Sequence, residues 1–283
     1  MPDTHATGRA PHDANAPDDA GTSDDAAVEV RCLGDFSVTL QGTPVLKWRA
    51  GKARHLFQYL VMNRGRLMLR EHLYEALWPG SEWTPTSSSL KVAMHALRQV
   101  LRTEPGGQGQ PAVTIEYRDH GYILHADRVW VDAEEMERNL EVGALAERRG
   151  DTAAATAHYW QTVTLYRGEF LPGETTDWVA EQREWTRSTV LRALHRLREL
   201  ALRDAEYAEA TQYCRQILDV DPYQEEAYQT LMYVHGKRGE LGSVKSWHDV
   251  CARRLSQGLD AQPAPRTRRL LDDALHGRLA PLM

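Results

Sequence analysis

Lys91, His95, Arg98 and Arg102 recur at spacings of four, three and four, so a helix carries all of them along one side. Such side chains offer positive charge and hydrogen-bond donors, the chemistry that meets phosphate oxygens and the base edges of a duplex groove. A second set, Leu90, Met94, Leu97 and Leu101, keeps helical spacing about 100° away and must face a core. Thr84, Thr86, Ser87, Ser88 and Ser89 make a hydroxyl-rich entry to this helix. Hydroxyls and free N–H groups at a helix N-terminus suit nearby phosphates. A surface helix with solvated charges satisfies the same pattern, so the neighbouring segments have to decide between the two.

Those neighbours predict what holds the helix. Residues 48–65 read as a helix with Ala53, Leu56, Phe57 and Leu60 inward, stopped by Asn63 and Gly65. Residues 69–80 read as a shorter helix with Leu73, Leu77 and Trp78 inward, ended by Pro79-Gly80. The helix at 87–102 is the third. Residues 113–126 then show two runs of period two around Arg118-Asp119-His120-Gly121, a β-hairpin pattern. Two short strands at 28–42 come first, with Gly42 at a turn. Three helices followed by a hairpin is the order of a winged helix-turn-helix.

Charge is distributed to match. The chain of 283 residues has a formal net charge of −6, which by itself argues against a polyanion partner. Residues 1–27, however, hold six Asp and one Arg, and residues 132–283 carry a net −5, whereas 28–131 carry +4. Within 45–102 there are ten basic against three acidic residues. Screening limits what a ligand feels to roughly 8–10 Å, so this local excess governs binding. Residues 1–27 hold too few apolar side chains to offset ordering entropy and are expected to be disordered.

Other chemistries find no support. The twelve histidines form no HExxH and no Cys/His set at zinc spacing, so no metal is expected. Glu181 with Glu184, and Glu225 with Glu226, read as solvated helix faces rather than acid–base pairs. Ser87 to Ser89 have no base placed beside them and are explained by helix capping. The Gly-rich stretch 103–112 lacks the Lys-Ser/Thr ending of a P-loop and reads as a connector between third helix and hairpin. No cofactor is expected and the chain does not read as an enzyme. Cys32, Cys214 and Cys251 fit buried thiols in a reducing cytoplasm. No run is long enough for a transmembrane helix.

From about 132 the pattern is helical throughout, with a repeat. Residues 238–251 follow 204–217 at an offset of 34, aligning Ala205 with Gly239, Ala210 with Val244, Cys214 with His248 and Ile217 with Cys251. That period is the tetratricopeptide signature, and Asp221-Pro222 falls at its closing position. Residues 148–160 form an earlier copy 55 residues upstream, the extra length belonging to a long helical stretch at 176–203. Small residues at 154, 155, 157, 208 and 210 allow close packing, and the aromatic residues after 159 are expected in the core.

The order Leu33-Gly34, Gly51-Lys52, Leu77-Trp78, Leu97-Arg98 with Leu101, and Gly121-Tyr122 resembles the Streptomyces antibiotic regulatory protein family of activators. Residues 166–171 before Trp178, and Asp221-Pro222-Tyr223 with Glu225-Glu226, resemble its bacterial transcriptional activator domain. The resemblance implies a mainly α chain with a small β part: an acidic tail at 1–27, a winged helix of the response-regulator output type at 28–131, and an all-α tetratricopeptide-like domain at 132–283. It further implies DNA contact by Arg49, Lys52, Arg54, Thr86, Ser87, Ser88, Lys91, His95, Arg98, Arg102, Arg118, His120 and Tyr122. Partners implied are double-stranded promoter DNA with direct repeats near the −35 element, RNA polymerase through its sigma factor and other subunits, and a second protomer side by side or as a homodimer. The implied setting is a cytoplasmic, nucleoid-associated activator of an antibiotic biosynthetic gene cluster. This sequence departs from the family at Gln99, beside Arg98, and at Ser256, where the last repeat lacks its closing proline. The alternative is a tetratricopeptide-type adaptor whose winged helix meets protein, which the cationic segment disfavours. The charge split also predicts that 28–131 binds DNA alone and that 132–283 folds alone.

Overall fold

The computed structural model describes residues 26–48, 51–81, 84, 88–102 and 111–280. Of the expectations above, most of the acidic tail, Arg49, Thr86, Ser87 and most of the connector at 103–112 lie outside the described residues.

Strands β1 (Val28–Arg31), β2 (Ser37–Leu40) and β3 (Thr43–Pro44) form an antiparallel meander. Helices α1 (Gly51–Met62), α2 (Arg70–Leu77) and α3 (Ser89–Leu101) follow, with the two-residue β4 (Met68–Leu69) between α1 and α2. Their inward residues are those the periodicity predicted: Ala53, Leu56, Phe57, Leu60, Leu73, Leu77, Leu90, Met94, Leu97 and Leu101 are all buried. Trp78 is only half-buried and stacks on Tyr74 at 4.9 Å. The hairpin pairs β5 (Val113–Arg118) with β6 (Gly121–Ala126) in the register Arg118 to Gly121. Asp119 and His120 between them have φ of 48° and 62°, the mirror-image turn that matches strand twist. On its other edge β6 takes β4, and Gly121 is required there. A Cβ at Gly121 would lie 2.6 Å from the Met68 carbonyl oxygen.

Three strands were not anticipated: the two-residue β3 and β4, and β7 (Val129–Val131). β7 runs parallel to β1, giving the first sheet the order β3-β2-β1-β7. A parallel pair needs a long crossover, and here the crossover is the entire run of three helices and hairpin. β7 leads without a gap into α4 (Asp132–Arg148). Asp132, fully buried, turns its carboxylate back onto the end of β1. Its two oxygens accept the backbone N–H groups of Cys32 at 2.7 Å and Leu33 at 3.0 Å. Arg167 approaches the same carboxylate at 3.7 Å. Burial pushes the Asp132 carboxyl above the usual range, against the pull of these N–H donors and of Arg167.

This corner joins the winged helix to the helical region. Leu33 forms an isolated antiparallel bridge with Phe170, Gly34 N–H donates to the Glu169 carbonyl, and Leu171 N–H donates to the Cys32 carbonyl. Gly34 and Gly168 meet backbone to backbone: a Cβ on Gly168 would sit 3.2 Å from the Gly34 Cα. Arg183 holds the loop from the other side by donating to the carbonyls of Phe170, Leu171 and Glu174. Helix α1 adds two more links, His55 to Glu174 at 2.7 Å and Tyr59 edge-on to Trp178 at 5.3 Å, and the turn after it adds a bidentate Arg64–Glu134 pair at 2.6 Å. A single apolar cluster runs from Val28 to Leu255 across both regions. A cut between 131 and 132 therefore removes the acceptor for two buried N–H groups and uncovers the Phe170 seat, so the two halves are less separable than the charge split suggested.

The remaining helices are α5 (Thr152–Leu165), α6 (Asp177–Arg203), α7 (Tyr207–Val220), α8 (Glu225–Lys237), α9 (Leu241–Leu259) and α10 (Pro265–Leu275). The repeat is visible in its turns. Gly150, Ala205 and Gly239 occupy equivalent positions with φ of 80°, 60° and 73°. In each turn the next residue's N–H reaches five residues back: Asp151 to Ala146, Glu206 to Ala201 and Glu240 to His235. Ala155, Ala210 and Val244 are buried at matching places in α5, α7 and α9. The three cysteines are free and buried. Trp160 and Trp185 depart from expectation, at 44% and 53% exposed.

Two outcomes are expected. Ala205 is exposed and held in the left-handed region, which costs an L-residue about 1–2 kcal/mol, so Ala205→Gly should raise stability by roughly 0.5–1 kcal/mol in a urea melt. Asp132→Ala leaves the Cys32 and Leu33 N–H groups buried without acceptors and should lower stability by about 2–4 kcal/mol in the same measurement.

Candidate nucleic-acid interface

Helix α3 forms because Leu90, Ala93, Met94, Leu97, Val100 and Leu101 give it a wide apolar stripe, which packs on α1 and along β5. The opposite side is open. Ser88, Ser89, Lys91, Val92, His95 and Arg102 are exposed, while Ala96, Arg98 and Gln99 are half-buried. The outward centre of the helix therefore runs through Ser88, Val92, His95 and Gln99, with Lys91 and Arg102 on one flank. The cationic stripe thus lies on that flank, about 100° from the buried stripe as its spacing predicts, and not at the centre of the outward face. Ser88 precedes α3 with helical backbone angles, and its hydroxyl makes no capping bond to the helix.

Arg98 has moved furthest from expectation. Its guanidinium donates to the Ile115 carbonyl of β5 at 3.0 Å and lies 5.9 Å from the Tyr122 ring centroid. It ties the end of α3 to the hairpin rather than standing out from it. Tyr122 is only 7% exposed and packs against Tyr117 at 5.1 Å, so its ring serves as a floor for the hairpin. Burial raises the Tyr122 phenol above its ordinary range, while the adjacent Arg98 pulls it down. Tyr117, which the sequence reading passed over, is 51% exposed on β5.

The flanking candidates fall into two groups. Arg118 and His120 are exposed at the hairpin tip, Arg118 being paired loosely with Asp119 at 3.5 Å. Lys52 and Arg54, near the start of α1, are half-buried and spread over aromatic rings, Lys52 at 5.9 Å from Trp78 and Arg54 at 5.3 Å from Phe36. Such long side chains bury their stems and still present charge at the tip. Their positions set by aromatic neighbours were not legible from charge alone. Val92 was also missed, although a signal existed: it is apolar and lies outside the apolar stripe. Among the described residues no group of three or more His, Cys, Asp and Glu side chains is placed to hold a metal ion, and no helix is long and apolar enough to cross a membrane.

Comparison with known proteins agrees with this geometry. The profile of the bacterial transcriptional activator domain matches residues 131–275, and that of the transcriptional regulatory protein C-terminal domain matches 49–124. The regulatory protein DnrI of Streptomyces peucetius is 26% identical over 148 residues, 51% of this chain and 53% of its own length. The chain thus spans about half the length of the curated relative it matches. Among solved structures, Mycobacterium tuberculosis EmbR, determined in complex with a low-affinity phosphopeptide, superposes with a TM-score of 0.72 over 90% of this chain and 66% of its own. At 19% identity that likeness establishes the shared fold, a winged helix-turn-helix followed by helical repeats. With one profile spanning half its length and the other covering the helices and hairpin ahead of it, the chain belongs to the bacterial transcriptional activator domain family, in the Streptomyces antibiotic regulatory protein group.

Proposed function

We propose that this protein is a transcriptional activator that reads double-stranded promoter DNA with α3 in the major groove. The observation that carries this is the outer face of α3: His95 near its centre and Lys91 and Arg102 on one flank are exposed while the apolar stripe is buried in the core, so the helix can enter a groove without disturbing the fold. Arg118 and His120 at the hairpin tip, with Lys52 and Arg54 at α1, supply backbone contacts on either side, which position the protein without selecting sequence. Arg49, Thr86 and Ser87 flank the same surface in sequence and remain part of the reading. Arg98 acts by holding the hairpin against α3, and Tyr122 by supporting Arg98.

The helical region carries the acidic excess of residues 132–283 and is unsuited to phosphate. It offers instead an open groove between α5, α6 and α7 lined by Trp160, Tyr166, Tyr213, Glu209 and Asp219. We assign to this region the contacts with RNA polymerase and with a neighbouring protomer, as in the recruitment of polymerase to direct repeats near a −35 element. Direct repeats call for head-to-tail protomers, unlike the two-fold dimers that read palindromes. The family likeness supports extending this reading to a biosynthetic gene cluster as target and to a cytoplasmic setting.

A salt-titrated binding assay of the full chain on promoter DNA tests the reading. Lys91→Ala and His95→Ala should each weaken specific binding by about 1–3 kcal/mol if the contact is to a base edge. A phosphate contact, as assigned to Arg118, should instead weaken binding to all sequences and lower the salt slope by about one unit. Affinity and slope unchanged in the Lys91/His95 double variant would remove α3 from the interface and favour a protein-binding role. Arg98→Ala is expected to behave differently: it should lower the melting temperature as well as DNA affinity, because a part-buried bond between α3 and β5 is lost. Lost affinity at full thermal stability would return Arg98 to the groove-facing set.

A further inference from the structure

Val92 is 60% exposed in the middle of the outer face of α3. Every other apolar residue of that helix is buried except the half-buried Ala96. Val92 lies one turn beyond Ser88, whose carbonyl accepts its N–H at 2.9 Å, and one turn before His95 and Ala96. At about 100° per residue it stands roughly 140° around the helix from Leu97, so nothing in the core calls for an apolar side chain there. The position is also a poor one for valine on local grounds. A β-branched residue is a weaker helix former than alanine, lysine or glutamine, and its methyl groups face water.

We propose that Val92 is a specificity-determining residue that selects thymine by packing against its C5 methyl group. This rests on α3 lying in the major groove, as argued above. In that groove each base pair shows hydrogen-bonding groups, and thymine alone adds an apolar methyl. A valine side chain can neither donate nor accept, so over guanine, adenine or unmodified cytosine it strips water from polar edges and returns nothing. Over thymine it buries methyl against methyl. Lys91 and His95 beside it serve the polar edges and the backbone, which leaves Val92 as the discriminating contact at its own base step.

The test uses the full-length chain and a randomised duplex pool, from which a bound sequence is enriched. Each thymine of that sequence is then replaced singly by deoxyuridine, which keeps base pairing and removes only the C5 methyl. At one thymine, or two adjacent ones, wild-type affinity should fall about fourfold, the factor expected for one methyl-sized group no longer buried. Val92→Ala, which favours the helix and disturbs no core contact, should bind thymine and deoxyuridine equally at that position while keeping the wild-type profile elsewhere. A wild-type profile indifferent to every deoxyuridine, or a Val92→Ala profile identical to wild type, overturns the proposal while leaving DNA binding intact. Failure of the pool to enrich at all overturns the DNA-reading function, and this inference with it.

Discussion

The buried carboxylate of Asp132 is the constraint on which the arrangement of this protein depends. It sits where β7 ends and α4 begins, and it accepts two N–H groups from the end of β1, about a hundred residues earlier in the chain. A charge removed from water survives only if its lone pairs are met, and here backbone donors and Arg167 meet them. The geometry is unforgiving because backbone donors cannot swing away as side chains can. Parallel pairing of β7 with β1 delivers the carboxylate, and the carboxylate then fixes where the first helix of the repeat region starts.

Everything near that corner follows from it. With Cys32 and Leu33 held, Gly34 comes close enough to Gly168 for backbone contact, and Phe170 and Leu171 pair with the same segment. Arg183 fastens the other side of this loop to α6. Helix α1 is then gripped on both flanks. Its apolar side packs on α3, while His55 and Tyr59 reach Glu174 and Trp178, and Arg64 in the turn after it reaches Glu134. Packed, bonded contacts on both sides leave α1 little room to slide, so α3 stands at a set position relative to the repeats. Helix α3 and the repeat region are thereby joined through α1.

The interface on α3 shows how tertiary contacts reassign residues of the same charge. Arg98 and Arg102 sit four apart on one helix, yet Arg98 meets β5 and Tyr122 while Arg102 stays in solvent. What separates them is the hairpin, which passes beside Arg98 in the last turn of the helix. Local sequence carries no trace of that neighbour at the position of Arg98. Tyr117 and Tyr122 are direct partners across the hairpin and share one face, their rings packed at 5.1 Å; Tyr122 is covered by Tyr117 and Arg98, whereas Tyr117 stays half open to solvent.

Sequence by itself determined the elements and their order. Helical spacing of leucines picked the buried faces of α1, α2 and α3, because burial of one stripe is what a short helix needs to be stable. The hairpin was legible because residues alternate in period two on both sides of Arg118-Asp119-His120-Gly121, and the 34-residue period exposed the repeats because each copy buries the same face. What only the tertiary structure decided were contacts between segments far apart in sequence. The parallel β7–β1 pair, the Asp132 anchor and the loss of Arg98 to the hairpin all depend on a partner more than ten residues away. Periodicity reports which residues share a face. It cannot report what that face meets, because the meeting is set by packing and by the donors and acceptors that packing brings together.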